Sequence, residues 1–358
     1  MRVRVLHHWV PILFIFLAAY PFLPFATATR GEQFTLLLIY AMLALALNVV
    51  VGYTGLLHMG IAAFFGIGAY TVGILTVPYF PFQQSFLMAV IAAVCAASFI
   101  SVAATAPTLR LRGDYLALVT LGFGLITLYA IRNLQSITEG TDGMNPIEPG
   151  PLPGIVGDDM SAFRFAETWG RQWYKFPYMY FLVLVTLGAV FRILRNLERS
   201  SLGRAWVAMR EDELAASCMG LNPARLKLAA AAISAGLAGL AGAFYVVAQR
   251  TTGNPQAFDF TLSMIMVCCL ILGGLGNRAG VLLGVILLLG FDRILTPILD
   301  NWIQEFITTG GKSYLKLSGW RLIIFGMALI LMMRFRPAGL LPAARVQHEL
   351  ENNERRDS

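Results

Sequence analysis

Long apolar runs joined by short polar links dominate this chain. Runs of about 18 or more residues nearly free of charge are long enough to cross hydrocarbon as helices. Ten stretches follow that pattern: Trp9–Ala28, Phe34–Tyr53, Leu57–Val77, Phe86–Ala106, Tyr115–Leu134, Tyr178–Leu194, Leu228–Gln249, Phe260–Gly276, Gly280–Ile298 and Trp320–Met333. Glycines interrupt the third, eighth and ninth of these, or their links are very short, so the reading is about ten spans within a range of 8–10. The expected fold is an all-α, polytopic transmembrane helical bundle.

One segment breaks the pattern. Ser201 to Leu228 reads SLGRAWVAMREDELAASCMGLNPARLKL, a charged helical insert between two apolar runs. Trp206, Met209 and Leu214 recur at helical spacing beside Arg204, Arg210, Glu211, Asp212 and Glu213, which predicts an amphipathic helix with one apolar stripe. Asn222 followed by Pro223 is a start signal for the next helix: the amide side chain can accept from the first turn, and proline suits the first helical position. Two readings of the insert stay open on these grounds. It is either a docking helix for a soluble partner or a helix lying on the lipid surface.

Composition fits the membrane reading. Of 358 residues, 57% are hydrophobic and only 13% charged, with mean hydropathy +0.68. The net charge of +7 is divided among loops, which argues for membrane orientation and against nucleic-acid binding. With alternating spans and the N-terminus inside, Arg110, Arg112, Arg192 through Lys227, Arg278 and Arg334 through Arg356 all fall on the cytoplasmic side, as do both termini. The longest opposite loop, 135–177, holds three basic residues (Arg164, Arg171, Lys175) against six acidic ones. The chain thus divides into an N-terminal helix or signal-like segment (1–33), a transmembrane unit (34–342) and a charged cytoplasmic tail (343–358). The transmembrane unit contains the external loop 135–177 and the cytoplasmic loop 198–227. At the N-terminus, Arg2, Arg4 and Ala26-Thr27-Ala28 suit a cleaved signal peptide, whereas Pro21, Pro24 and a charge-free span suit a retained helix.

Catalytic and cofactor signals are missing. Gly311-Lys312-Ser313 imitates the end of a phosphate-binding loop, but Phe306 stands where its first glycine belongs. No nucleophile elbow or zinc-spaced His/Cys cluster occurs, so neither catalytic residues, metal nor cofactor are expected. Cys95, Cys218, Cys268 and Cys269 lack metal-ligand spacing and read as reduced packing residues. His58 reads as a packed or pore-lining side chain. Acidic residues are absent from the middles of the spans; Asp114, Asp259 and Asp292 lie near their ends. That argues against a proton-driven carrier, which needs an ionisable group in the membrane. Glycines cluster where helices must touch: Gly52, Gly55, Gly60, Gly66, Gly68 and Gly73; then Gly236, Gly239 and Gly242; then Gly276, Gly280 and Gly284.

Ala215-Ala216 followed by Gly220 matches the Ala-Ala-x-x-x-Gly core of the loop by which permeases of bacterial ATP-binding cassette importers engage their ATPases. Leu214 stands where many such loops have glutamate, with Glu213 one place earlier. Further matches run in order at Leu45–Thr71, Leu109–Gly124, Gly203–Leu228, Ile233–Tyr245, Leu272–Gly284 and Phe335–Pro342. On these segments the chain resembles the LivM-type permeases of branched-chain amino acid importers, and the Leu109–Gly124 segment separates it from the paired LivH type. The resemblance implies two cytoplasmic ATPase subunits, a second, LivH-type permease subunit, an external solute-binding protein and an amino acid substrate in a bacterial cytoplasmic membrane. It implies a coupling surface at Arg204, Arg210, Glu211, Glu213, Ala215, Ala216 and Gly220, and no enzymatic activity in this chain. The solute path is expected from spans two, three and five, with Asn48, Gly60, Thr120 and Gly122 as candidates. Three positions depart from the family pattern. His58 precedes Gly60 where relatives place histidine after the glycine, Leu125 stands where glutamate is common, and Glu139 replaces a turn glycine. A urea or short-chain amide permease is the alternative, since such permeases share the architecture.

The charge distribution makes a direct prediction. A membrane-impermeant maleimide directed at Cys218 should react in inverted membrane vesicles and not in right-side-out ones; the reverse result would invert the topology.

Overall fold

A computed structural model describes residues 9–20, 28–77, 80–81, 84–110, 114–144, 178–296 and 339–341, with isolated positions between 323 and 334. Among these every regular element is a helix. The expected tenth span, most of the external loop, the Gly311–Ser313 tripeptide and the tail lie outside the described residues.

The elements are α1 (Trp9–Ala19), α2 (Ala28–Asn48), α3 (Ile61–Thr76), α4 (Phe86–Thr105), α5 (Asp114–Asn133), the single turn α6 (Gln135–Thr138), α7 (Tyr178–Arg199), α8 (Ser201–Glu211), α9 (Glu213–Cys218), α10 (Pro223–Gln249), α11 (Phe260–Gly273) and α12 (Arg278–Gly290). A wide helical turn, Val49–Tyr53, continues α2, and another, Phe291–Leu295, continues α12. Among the described residues six helices are long and apolar enough to cross a membrane: Arg30–Tyr53, Phe86–Thr105, Tyr115–Asn133, Met179–Arg199, Pro223–Gln249 and Pro255–Gly273. Three other expected spans are shorter helices of 11, 16 and 13 residues, α1, α3 and α12.

The bundle is organised around α2. Its apolar window is 94% buried, against 33% for α4, 28% for α5 and 33% for α7. α4 is just as apolar, so the difference comes from place in the bundle: an all-apolar helix can be covered either by other helices or by lipid. The outer helices instead turn Leu87, Met88, Ile91 and Phe99 of α4 and Leu118, Ile126 and Tyr129 of α5 outward, as side chains facing lipid do.

Lipid gives apolar helices no hydrophobic reason to associate, so contact comes from close backbone approach and interhelical hydrogen bonds. The glycines of α10 provide the approach. A Cβ added to Gly242 would lie 2.0 Å from the Phe65 carbonyl oxygen of α3, and one on Gly239 would lie 2.7 Å from the Ala97 Cβ of α4. Hydroxyls supply the bonds. Ser98 and Ser101 of α4 donate to the carbonyls of Ala232 (3.0 Å) and Ala231 (3.1 Å), and Ser234 donates to Ala46 of α2 at 2.7 Å. In the α11–α12 hairpin, Gly280 and Gly284 press on Gly273 and Cys269. Gly276, expected in the same series, belongs instead to the preceding turn, with φ +81°. Span three also starts later than expected. Gly55 takes φ +72° and the chain stays non-helical until Ile61. Two of the four cysteines, Cys95 and Cys218, are exposed instead of packed; Cys268 and Cys269 are buried, and all four are free.

Gly242→Ala should therefore lower the stability of the detergent-solubilised protein by on the order of 1–3 kcal/mol, the usual cost of overpacking. Gly122→Ala, whose Cβ would meet nothing within 4 Å, should be neutral or slightly stabilising. Thermal unfolding of the two variants side by side checks both.

Candidate functional site

The polar insert forms two helices, not the single one its periodicity predicts. α8 begins on Ser200, whose hydroxyl accepts from the Gly203 amide at 3.3 Å. It ends at Asp212, which takes an extended conformation (φ −150°, ψ 107°) and starts α9, its carboxylate accepting from the amides of Leu214 (2.8 Å) and Ala215 (3.0 Å). An aspartate that hydrogen-bonds the following amides competes with helix continuation, which explains the break. α9 closes in a glycine turn: Gly220 has φ +85°, its amide donates to the Ser217 carbonyl at 3.0 Å, and the Leu221 amide donates to the Ala216 carbonyl at 3.1 Å. That paired bonding is the usual way a helix ends on a left-handed glycine. Asn222 then caps α10, accepting from the Arg225 amide at 3.2 Å. Cap and proline act as expected, and they start α10 five positions before the expected span.

Three contacts fix this pair of helices to the bundle, and a fourth braces the helix that leads into it. The buried Trp206 donates from Nε1 to the Leu226 carbonyl at 2.9 Å. Arg210 donates from Nη1 to the Gly52 carbonyl, in the wide turn that ends α2. Glu213 pairs with the largely buried Lys227 ammonium of α10 at 2.7 Å. At the foot of α7, Glu198 pairs with Arg278 at 2.9 Å, and the Arg278 guanidinium sits over the Phe191 ring at 5.2 Å. Close by, Asn48 of α2 accepts from the Gly276 amide at 3.0 Å. The feet of α2, α7, α8, α10 and α12 are thereby tied together.

The expected coupling residues separate into two groups. Arg210, Glu213, Ala216 and Gly220 build and anchor the unit: two hold the bundle, Ala216 is buried, and Gly220 makes the turn. Arg204, Glu211 and Ala215 are exposed, with Arg204 donating to the Arg199 carbonyl at 2.8 Å. The predicted stripe holds only in part. Trp206 and Met209 are buried, but Leu214, beyond the Asp212 break, is 66% exposed. Met219, just past the end of α9, is 84% exposed, so this polar segment turns two large apolar side chains outward. Sequence reading passed over Met219, Lys227 and the Asp212 cap; an Asp three positions before Ala215 and followed by Glu213 was the available signal for the cap.

The four path candidates also divide. Gly60 and Thr120 meet: a Cβ on Gly60 would fall 2.4 Å from the Thr120 carbonyl oxygen, and the Thr120 hydroxyl accepts from the Met59 amide at 3.1 Å. Asn48 is fully buried and serves the Gly276 turn, while its Nδ2 has no partner. Gly122 faces open space on α5. Among the described residues no group of His, Cys, Asp or Glu is placed to hold a metal ion.

A family model described as branched-chain amino acid transport system / permease component matches residues 32–333. The chain belongs to the branched-chain amino acid transport permease family. The high-affinity branched-chain amino acid transport system permease protein LivM of Escherichia coli (strain K12) is 35% identical over 353 residues, covering 95% of this chain and 76% of the relative. Its Salmonella typhimurium counterpart is 34% identical, covering 96% and 76%. A probable branched-chain amino acid transport permease protein LivM from Methanocaldococcus jannaschii is 25% identical over 344 residues, covering 85% and 90%. No solved structure matches.

Membership of this permease family, with six helices able to cross a membrane among the described residues, makes the chain an integral membrane protein. Two of the positions expected to depart from the family pattern are described by the structure. Glu139 occupies a left-handed conformation (φ 56°) after α6, a position where glycine carries no strain. Leu125 is 38% exposed on the outer side of α5.

Asp212→Ala should leave the permease folded and loosen α9 locally. Removing such a cap costs about 1 kcal/mol, so hydrogen exchange at the amides of Leu214 and Ala215 should quicken by roughly fivefold. Unchanged exchange there would contradict the capping assignment.

Proposed function

We propose that this chain is the membrane-spanning subunit of an ATP-driven importer of leucine, isoleucine, valine or related amino acids. In this reading α8 and α9 face the cytoplasm and receive a separate ATPase. The observation that carries the reading is the construction of that segment. It is too polar for hydrocarbon, bonded by three contacts to α10 and to the end of α2, and carries exposed Leu214 and Met219. An apolar anchor on a polar rim is the usual anatomy of a protein interface. Two ATPases, a second permease and a solute-binding protein complete the assembly, within a bacterial cytoplasmic membrane crossed about ten times with both termini inside. The chain performs no chemistry of its own.

The contacts also suggest how force is passed. Movement of the docked segment reaches α10 through Glu213–Lys227 and reaches the end of α2 through Arg210. From α2, the Asn48 bond to Gly276 leads to the α11–α12 hairpin. The proposed solute path lies between the start of α3 and α5, lined by Gly60 and Thr120. Asn48 serves as a relay, and Gly122 lies outside the path.

Leu214→Asp combined with Met219→Asp should abolish copurification of the ATPases while the permease still inserts. Placing two charges at an apolar anchor costs several kcal/mol of association. Arg210→Ala should keep the ATPases bound and reduce solute-stimulated hydrolysis in proteoliposomes. Full uptake in vesicles lacking any ATPase would overturn the reading.

A further inference from the structure

Between α2 and α3 the chain is non-helical over residues 55–60, and His58 and Gly60 of this segment are buried. Gly60 is buried against α5, and the first turn of α3 leans on α11 through Ser263. Gly60 offers no side-chain cap to α3, so its first amides depend on neighbours. The Ala62 amide is met by the Ser263 hydroxyl at 3.1 Å. The Ile61 amide has no partner among the described residues. Ser263 is 1% exposed, and its own proton has no acceptor among the described residues.

His58 is the second, independent observation. Its side chain is only 7% exposed, and Nδ1 is buried without a hydrogen-bond partner. The imidazole lies over the start of α3. Its Cε1 is 3.6 Å from where a Gly60 Cβ would be, and its ring centroid is 5.8 Å from that of Phe64. An unpaired polar atom buried this deeply costs free energy unless something transiently fills it. Beside it, Phe64 stacks on Phe123 of α5 at 5.3 Å, giving an apolar wall.

We infer that the α-carboxylate of the transported amino acid is held at the N-terminus of α3 by His58, the Ile61 amide and Ser263, with its apolar side group against Phe64 and Phe123. The inference rests on the importer reading above. The positive end of a helix dipole, with donors on the residues around its first turn, suits an anion. Discontinuous helices that meet a substrate inside the bundle present this end to anionic groups. One turn before Ser263 on α11 stands Asp259, whose carboxylate is engaged as that helix's cap, accepting from the Leu262 amide (3.2 Å) and the Thr261 hydroxyl (3.0 Å), while Thr120 and Gly124 of α5 face Gly60.

The test uses the full chain reconstituted with its ATPases and binding protein. Photo-leucine, a diazirine analogue that keeps the carboxylate, is crosslinked during turnover and the adducts are mapped. Adducts on residues 58–64 and 117–124, suppressed by excess leucine, are the expected result. His58→Phe should raise KM for leucine by roughly tenfold, the loss of one charge-assisted hydrogen bond. His58→Asn, which returns an N–H donor near the Nδ1 position, should recover most of that loss. Copurification of the ATPases separates a misfolded variant from an impaired one. Adducts confined to other helices, or equal KM in His58→Phe and wild type, would overturn the inference while leaving the importer reading intact. Absence of any leucine uptake by the wild-type assembly would instead overturn the importer reading.

Discussion

Inside hydrocarbon every backbone N–H and C=O must find a partner within the protein, and this constraint shapes each unusual feature of the bundle. Where a helix is unbroken the problem is solved by the helix. Where it is not, side chains step in. The wide turn at Val49–Tyr53 leaves the Gly52 carbonyl to Arg210, and the delayed start of α3 leaves the Met59 and Ala62 amides to hydroxyls of Thr120 and Ser263. These repairs come from distant parts of the sequence. Each irregularity in α2 or α3 therefore obliges a contact with another element, and those contacts define the places where the bundle can transmit movement.

The same logic explains the polarity of one end. Lys227, 8% exposed at its side chain, and Arg278, also 8%, are buried cations that would be untenable alone. Each is paired with a carboxylate that remains partly in water: Glu213 at 38% and Glu198 at 41% exposure. Half-exposed partners keep the desolvation cost lower than two fully buried charges would, so these pairs hold geometry more than they add stability. Both pairs join the polar segment or its approach to a helix foot.

Much of this architecture was legible in the chain. Apolar runs located α2, α4, α5, α7, α10 and α11, because a membrane span requires length and the absence of charge, and both are visible locally. The glycines of α10 were legible as packing sites for a similar reason. The break at Asp212 was not. Within Arg-Glu-Asp-Glu it resembles one more solvated charge, and only its carboxylate's bonds to the next two amides show that it ends α8. The division of the path candidates was equally hidden. Gly60 and Thr120 are 60 positions apart and meet only because the chain re-enters the bundle unwound, whereas Asn48 is drawn to a turn more than 200 residues away.

The spacing that first marked the polar segment now has a physical account that owes nothing to resemblance. In Ala215-Ala216-x-x-x-Gly220, the glycine is the left-handed residue that ends α9, and Ala216 is the residue whose carbonyl receives the Leu221 amide. The distance between them is fixed by the geometry of a helix terminus. Nothing crowds Gly220, so the glycine is required for its φ and not for space. Ala216 is buried at 5%, where a larger side chain would push α9 away from the bundle, while Ala215 beside it is exposed. The motif is therefore an instruction for making a very short, abruptly stopped helix with one buried position. Its stop leaves Met219 as the exposed cap residue of α9, beyond the anchors that Arg210 and Glu213 provide.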